Sequence, residues 1–527
     1  MPRRRRADTK MRRRGLLASV LAGAVLVLAA CTGTSATPST APSATLPSTP
    51  SAAPSVTAAP QVALARFYAQ RPTWRGCGSG FFCTTITVPL NYAAPAAGSI
   101  SLNLIKLPAR DPAHRIGSLL INPGGPGASG ITFARDAVQS FTSRVRNVYD
   151  IVGFDPRGVA SSTPMVCLTN AQQDAFIAAN QDPTTPDQEQ ALVNLVRGFA
   201  QSCEKHSARI LPFMSTADQA RDMDIIRAVV GDSTLHYYGA SYGTFLGATY
   251  AQLFPSRVGR LVLDGAIDPT LGPEALTAGQ LGGFEVALSA FLRDCLHQSS
   301  CPVGPSVADA RRQISQLIQQ SASHPLSSSS GRKVTQSLVI LGLLSPLYNK
   351  QYGWPDLRDA LGGALNGDGT GLLQLADLYT DRNPNGTYAS NENEALLAVT
   401  CLDRPDHSTV AQLRAFAASL AKISPLFGPY FAWGNIACTV WPVKSNAVPA
   451  PIRAVGAAPI LVVGTTRDPA TPYQWAVNLA KQLSSGRLLS RNGDGHTAYT
   501  TGDSCIDSAV DAYLTAGTLP PLGKLCQ

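Results

Sequence analysis

Three features of the sequence predict an α/β fold: a mostly parallel central sheet with helices on both faces and a large inserted cap that is mainly helical. Short runs rich in Leu, Val and Ile alternate with longer segments of helical spacing, as expected for strands joined by crossover helices. Gly239-Ala240-Ser241-Tyr242-Gly243 sits where such a run meets a helix-forming segment. A turn that tight forces the serine into a strained backbone, and the glycines remove side chains that would collide there. Between about Ile267 and Pro451 the alternation gives way to helical, loop-rich sequence, with Ser327 to Ser330 as a low-complexity loop.

The elements follow in order. Phe82 to Pro89 and Ile100 to Leu107 read as an opening antiparallel pair. Ser118 to Asn122 is a short apolar strand running into Pro123-Gly124-Gly125-Pro126-Gly127, and Asp150 to Phe154 is another, running into Asp155-Pro156-Arg157-Gly158. Ser215 to Val230 has helical spacing at Met223, Ile226, Val229 and Val230, acids in its first turns, and Ser215 or Thr216 as a cap. Thr234 to Tyr238 is the strand before the glycine–serine turn, and Thr244 to Ala251 the helix after it. Arg260 to Gly265, Pro459 to Gly464 and Gly486 to Ser490 follow as strands, the third of these closing the sheet. Internal repeats are not evident.

Most of the net charge of +9 comes from Arg3 to Arg6, Lys10 and Arg12 to Arg14. The rest of the chain is close to neutral, which leaves no footprint for nucleic acid. The basic residues precede an apolar run, Leu16 to Ala30, too short for a comfortable membrane span. That pattern reads as an export signal, and Arg13-Arg14-Gly15-Leu16-Leu17 has a twin-arginine form. The run ends Leu28-Ala29-Ala30-Cys31, which resembles the lipobox of bacterial lipoproteins, where the cysteine carries lipid and becomes the mature N-terminus. An ordinary secretory peptide is the alternative. Thr32 to about Pro60 is uncharged Ser, Thr, Ala and Pro, which reads as an extended tether. The expected organisation is a signal peptide over 1–31, a tether over 32–61, a first core part over 62–266, the cap over 267–451 and a C-terminal core part over 452–527.

Eleven cysteines fit an oxidising compartment. Apart from Cys31 they form an even set whose connectivity sequence does not fix. Pairing of chain neighbours is the simplest arrangement: Cys77–Cys83, Cys167–Cys203, Cys295–Cys301, Cys401–Cys438 and Cys505–Cys526. There is no Cys-x-x-Cys pair and the histidines are not clustered at ligand spacing, so neither a metal nor another cofactor is expected.

Ser241 in its turn is a candidate nucleophile. A serine nucleophile needs a base to take its proton and an acid to orient that base. In an α/β-hydrolase these follow in the order Ser, acid, His, with the acid after a late strand. Of seven histidines, only His496 lies beyond the Pro459 strand, in the loop Asn492-Gly493-Asp494-Gly495-His496. Asp468 follows that strand and is the candidate acid; Asp264, ending the earlier strand, is the alternative. Thr471 could orient Asp468 or line the pocket. A tetrahedral oxyanion needs two donors. The Tyr242 N–H is one, and Gly125, with Gly124 as the alternative, is the other. The Asp155-Pro156-Arg157-Gly158 loop reads as a structural brace through a buried ion pair.

Together, Asn122-Pro123-Gly124-Gly125-Pro126-Gly127, Gly153-Phe154-Asp155-Pro156-Arg157-Gly158, Thr216-Ala217-Asp218-Gln219-Ala220-Arg221-Asp222-Met223-Asp224, Tyr238-Gly239-Ala240-Ser241-Tyr242-Gly243-Thr244, Leu263-Asp264-Gly265 and Gly495-His496 resemble a known family. They look like the secreted tripeptidyl aminopeptidases of actinobacteria, in the proline-iminopeptidase-like branch of α/β-hydrolase serine peptidases. Mycobacterial lipoprotein serine hydrolases of the cell envelope are similar. The resemblance spans about Phe67 to the C-terminus, and Ala395 to Asp403 looks like the segment before the family's C-terminal subdomain. Proline iminopeptidases carry a histidine where this chain has Pro123, as the tripeptidyl group does, which argues against release of single prolines.

The resemblance implies removal of short peptides, often tripeptides, from free N-termini, with no cofactor. An exopeptidase must bind an ammonium and block longer extension, and acidic cap residues would do both; Glu392, Glu394 and Asp403 are the candidates. The expected partners are peptide N-termini and, through lipid on Cys31, the outer face of the membrane, with a monomer as the default. Two rival readings are an envelope carboxylesterase or lipase with the same machinery, and a binding protein on a hydrolase scaffold.

Overall fold

The computed structural model describes residues 58–527, so Cys31, the export signal and the tether up to residue 57 lie outside the described residues. A helix, Ala58–Tyr68, leads into the sheet. The strands are β1 (Arg75–Gly76), β2 (Phe82–Pro89), β3 (Ser99–Leu107), β4 (Gly117–Asn122), β5 (Tyr149–Phe154), β6 (Leu235–Ala240), β7 (Val258–Asp264), β8 (Ile460–Arg467), β9 (Gly486–Asp494) and β10 (Leu525–Cys526). They form one sheet in the order β1-β2-β3-β5-β4-β6-β7-β8-β9-β10. β1 to β3 are antiparallel and β3 meets β5 antiparallel; from β5 onward every pairing is parallel.

Burial explains the sequence pattern. β4 and β5 are buried at every position, so they read as unbroken apolar runs, whereas β2 alternates between buried and exposed residues at the sheet margin. The helix expected over Ser215 to Val230 is Thr216–Val229, and Ser215 is its cap, accepting from the Asp218 N–H. β9 runs on to Asp494, and it does not close the sheet: Leu525 and Cys526 pair with Ser490 and Arg491 as a further strand. Two residues are too few to leave a periodic signal. The neighbour pairing of cysteines is observed for all five disulfides.

Between β7 and β8 the chain passes through a series of helices that includes Pro273–Leu296, Val307–Ser323, Gln336–Leu344, Gly353–Leu365, Thr370–Tyr379, Glu392–Asp403 and Val410–Ile423. Pro273–Leu296 is long and apolar enough to cross a membrane by length and composition, but its Leu281, Phe284, Leu288, Phe291 and Leu292 are no more than 1% exposed inside the protein. A second excursion, between β5 and Thr216, carries helices Asn170–Ala178 and Pro186–Ser207 and packs on this insertion. Arg382 forks onto Asp174 at 2.6 and 2.8 Å, Arg414 onto Glu189 at 2.7 and 2.5 Å, and Phe199 lies 6.2 Å from Trp441.

The brace is real but uses a different acid. Arg157 is fully buried and forks onto Asp222 of Thr216–Val229 at 2.7 Å through both nitrogens, while its remaining donors reach the carbonyls of Pro89, Leu90 and Phe213. Asp155 instead accepts from the Ser129 and Ser161 hydroxyls.

Candidate active site

The sheet order brings the sequence motifs to one end. Asn122 at the end of β4 pairs with Gly239 of β6, and Ala240 pairs with Asp264 of β7. The loops after β4, β6, β8 and β9 therefore emerge side by side at the carboxyl ends of parallel strands, where open α/β sheets place their ligands.

Ser241 has φ 55° and ψ −124°, a conformation that residues with side chains rarely adopt. It opens the helix Tyr242–Leu253. The flanking glycines are needed for close approach: a Cβ on Gly239 would lie 2.4 Å from the Gly243 carbonyl oxygen, and one on Gly243 would lie 2.9 Å from that of Asn122. The turn is fixed from both sides. The Ser241 N–H donates to the Asp264 carbonyl at 2.9 Å, and the Thr244 hydroxyl donates to the Ser241 carbonyl at 2.6 Å. Ser241 is 2% exposed and its Oγ makes no hydrogen bond among the described residues.

His496 Nδ1 lies 2.9 Å from both carboxylate oxygens of Asp468. That contact sets the tautomer with Nδ1–H towards the acid and leaves Nε2 as the acceptor. Nε2 is buried and, like Ser241 Oγ, has no hydrogen-bond partner among the described residues. Asp468 also accepts from the N–H groups of Ala470, Thr471 and Thr497 at 2.9, 2.8 and 3.2 Å, and from the Thr471 hydroxyl at 3.1 Å. Thr471 thus orients the acid. Thr471→Val should leave the fold intact and lower kcat by about tenfold, the worth of one hydrogen bond to a charged group; steady-state rates on any turned-over substrate would check this. The alternative acid, Asp264, does not reach the histidine. Its carboxylate accepts from the Ala498 and Tyr499 N–H groups and the Tyr238 hydroxyl, so it anchors the loop that carries His496. Asp494 is paired with Arg467 and Lys350.

The loop after β4 lies directly on the elbow: a Cβ on Gly124 would be 2.9 Å from Ser241 Cβ and 3.1 Å from the Tyr242 nitrogen. The Gly124 N–H donates to Asn122 Oδ1 at 2.9 Å, and Pro126 has no N–H. Gly125, at a φ of 103° that favours glycine, follows Gly124 in this loop beside Tyr242.

The three acids expected to meet an ammonium part company. Glu394 is held by the N–H groups of Cys167 and Leu168 at 3.2 and 2.8 Å, so it joins the insertion to the second excursion. Asp403 accepts from the Thr216 N–H at 3.0 Å and from its hydroxyl, which also meets the Tyr242 hydroxyl; burial lifts this carboxyl to about 6. Both carboxylates thus already accept from protein groups. Glu392 differs. It is 5% exposed, its Oε1 has no partner among the described residues, and that oxygen lies 2.9 Å from where a Cβ on Gly125 would be. Burial, with the charge of Asp381 added, pushes its carboxyl well above the usual range.

Two residues at the site carry no sequence signal. The Tyr348 carbonyl accepts from the His496 N–H at 2.8 Å and its ring meets the imidazole edge-on at 5.4 Å, so the insertion itself seats the histidine. Asp381, at a φ of 56°, accepts from the Ser390 hydroxyl and sits close enough to act on Glu392. Both act through contacts distant in sequence.

A nucleophile turn beside a histidine–carboxylate pair and a glycine-rich loop is an arrangement that can carry out acyl transfer to water. Two family descriptions match the chain: alpha/beta hydrolase fold over residues 117–319 and TAP-like protein over residues 424–526. The chain is 37% identical to serine protease Hip1 of Mycobacterium tuberculosis, over 85% of this chain and 87% of that protein. It is 34% identical to carboxylesterase B of the same organism, over 84% and 86% of the two chains. It is 31% identical to the tripeptidyl aminopeptidase of Streptomyces coelicolor, over 82% and 81%.

Proposed function

The chain belongs to the TAP-like serine hydrolases of the α/β-hydrolase fold, and on that premise we propose that it is an exported serine exopeptidase that removes short peptides, chiefly tripeptides, from free N-termini. Ser241 attacks the scissile carbonyl. His496 Nε2 takes the hydroxyl proton and returns it to the leaving amine. Asp468 holds the imidazole, and the Gly125 and Tyr242 N–H groups stabilise the oxyanion. Water then attacks the acyl-enzyme with His496 again as base.

The observation that carries the exopeptidase reading is Glu392: a buried acid with an unpartnered oxygen beside the Gly125 loop. Such a group is costly alone and is satisfied by a substrate ammonium. Lipidation at Cys31 and the tether after it would hold the enzyme at the outer face of the membrane. The cap over 267–451 closes the site to chain extension.

The 34% identity to a carboxylesterase keeps an ester-cleaving enzyme as the second reading. Mass spectrometry of products from one peptide with a free and with an acetylated N-terminus separates them. Tripeptides released only from the free form support the exopeptidase. Equal cleavage of both forms would show a peptidase that does not require a free amine, and cleavage of p-nitrophenyl esters alone supports the esterase. Glu392→Gln should raise KM for free-amine peptides at least about tenfold, the worth of a charge-assisted contact, and narrow the preference over acetylated ones.

A further inference from the structure

Asp494 joins three elements that meet at the Asp468–His496 pair. It ends β9 two residues before His496, and it pairs across the sheet with Arg467, which ends β8 one residue before Asp468. The Arg467 Nε donates to Asp494 Oδ1 at 2.5 Å. Lys350 Nζ, from the insertion between β7 and β8, donates to Asp494 Oδ2 at 2.9 Å. Burial raises the Asp494 carboxyl, but the hydrogen bonds from Arg467 and Lys350 outweigh it and hold the group below its ordinary value. Lys350 is held on its other side too: its Nζ lies 4.7 Å from the centroid of the buried Trp354 ring. The Asp494 side chain is 10% exposed and that of Lys350 49%, so solvent reaches the pair from the lysine side.

The backbone repeats the connection. The carbonyl of Tyr348, two residues before Lys350, accepts from the His496 N–H at 2.8 Å. Gly495, between Asp494 and His496, has a φ of 102°, and a Cβ there would lie 3.0 Å from the same carbonyl oxygen. The loop that bears His496 is therefore pinned to the insertion twice, through its backbone at His496 and through the Asp494 carboxylate. Arg467 pins that carboxylate to the strand that bears Asp468. The imidazole acts as base only while Asp468 holds it in place, and misplacing such a group by an ångström is costly in rate. We propose that Asp494 is a positioning residue: it locks Asp468, His496 and the insertion into one unit, so that the pair is in working register only when the insertion is seated through Lys350. This rests on the assignment of Asp468 and His496 as the working acid and base.

A neutral fluorophosphonate tests this for peptidase and esterase alike, because Ser241 Oγ displaces fluoride from phosphorus as His496 takes its proton. In Asp494→Asn the amide oxygen can serve one cation while its NH2 group faces the other. The labelling rate at saturating probe should fall about tenfold, the worth of one hydrogen bond to a charged group, with the half-saturating concentration unchanged. Lys350→Met removes only a half-exposed side chain, so it keeps the test open if Asp494→Asn unfolds; it should slow labelling about threefold at low salt. Raising sodium chloride from about 0.05 to 1 M should slow the unsubstituted protein by a similar factor, as the half-exposed pair is screened, and leave Lys350→Met unchanged. A residue that served the fold alone would move Tm and not this salt response. Full labelling rates in both variants would overturn the proposal, as would a salt response that persists in Lys350→Met. Asp468→Asn tells the two failures apart. If it labels slowly while both variants label at the full rate, the positioning role fails alone; if it too labels at the full rate, the assignment of the pair fails with it.

Discussion

Asp468→Asn should lower kcat by about 10⁴ while leaving the fold and KM nearly unchanged. The amide oxygen, placed at Oδ1, can still accept from the Ala470 and Thr471 N–H groups, so that side of the loop keeps its shape, while the Thr497 N–H, which Oδ2 accepts, loses its partner. What it cannot do is hold His496 with Nδ1–H inward and stabilise the imidazolium that forms when Ser241 loses its proton. Asp264→Asn should act differently. Asp264 receives the Ala498 and Tyr499 N–H groups and the Tyr238 hydroxyl, so neutralising it loosens the loop behind His496 and should lower Tm together with activity. Circular dichroism melts alongside rates on the two variants separate the roles. A large loss of rate in Asp264→Asn at unchanged Tm, with Asp468→Asn active, would reverse the assignment of the acid.

The second large effect is on stability. Arg157→Met strands the Asp222 carboxylate in a fully buried site, and Asp222→Leu strands the guanidinium. Each should destabilise the protein by about 3–5 kcal/mol, the usual cost of leaving one member of a buried pair alone. Because Arg157 also gathers the carbonyls of Pro89, Leu90 and Phe213, the loss should extend to the end of β2 and the excursion before Thr216. The double variant Arg157→Met/Asp222→Leu should lose less than the sum of the singles, since no charge is left unpaired. Additive losses in thermal or urea unfolding would show that the cost comes from lost packing and not from the stranded charge.

Strands β4 to β8 were legible in the sequence because a parallel sheet buries both faces and writes each strand as an apolar run. The elbow was legible because close approach there demands Gly239 and Gly243, and the glycine-rich loop after β4 because Gly124 and Gly125 take positive φ. Asp468 and His496 followed from their order after Ser241. The partners of Glu394 and Asp403 were not legible because an acid in a helix carries no mark of its partner; here they are the N–H groups of Cys167, Leu168 and Thr216, each well over a hundred residues away. Tyr348 and the helices before Thr216 were missed for the same reason, since their roles rest on contacts that no local spacing encodes.

The most direct test of the account is to acid-quench the enzyme during turnover of a free-amine peptide and map the trapped adduct by mass spectrometry. The account predicts an acyl group of three residues, amine free, on Ser241, and none in Ser241→Ala. An adduct on another residue, or turnover with no adduct that survives in Ser241→Ala, would contradict it.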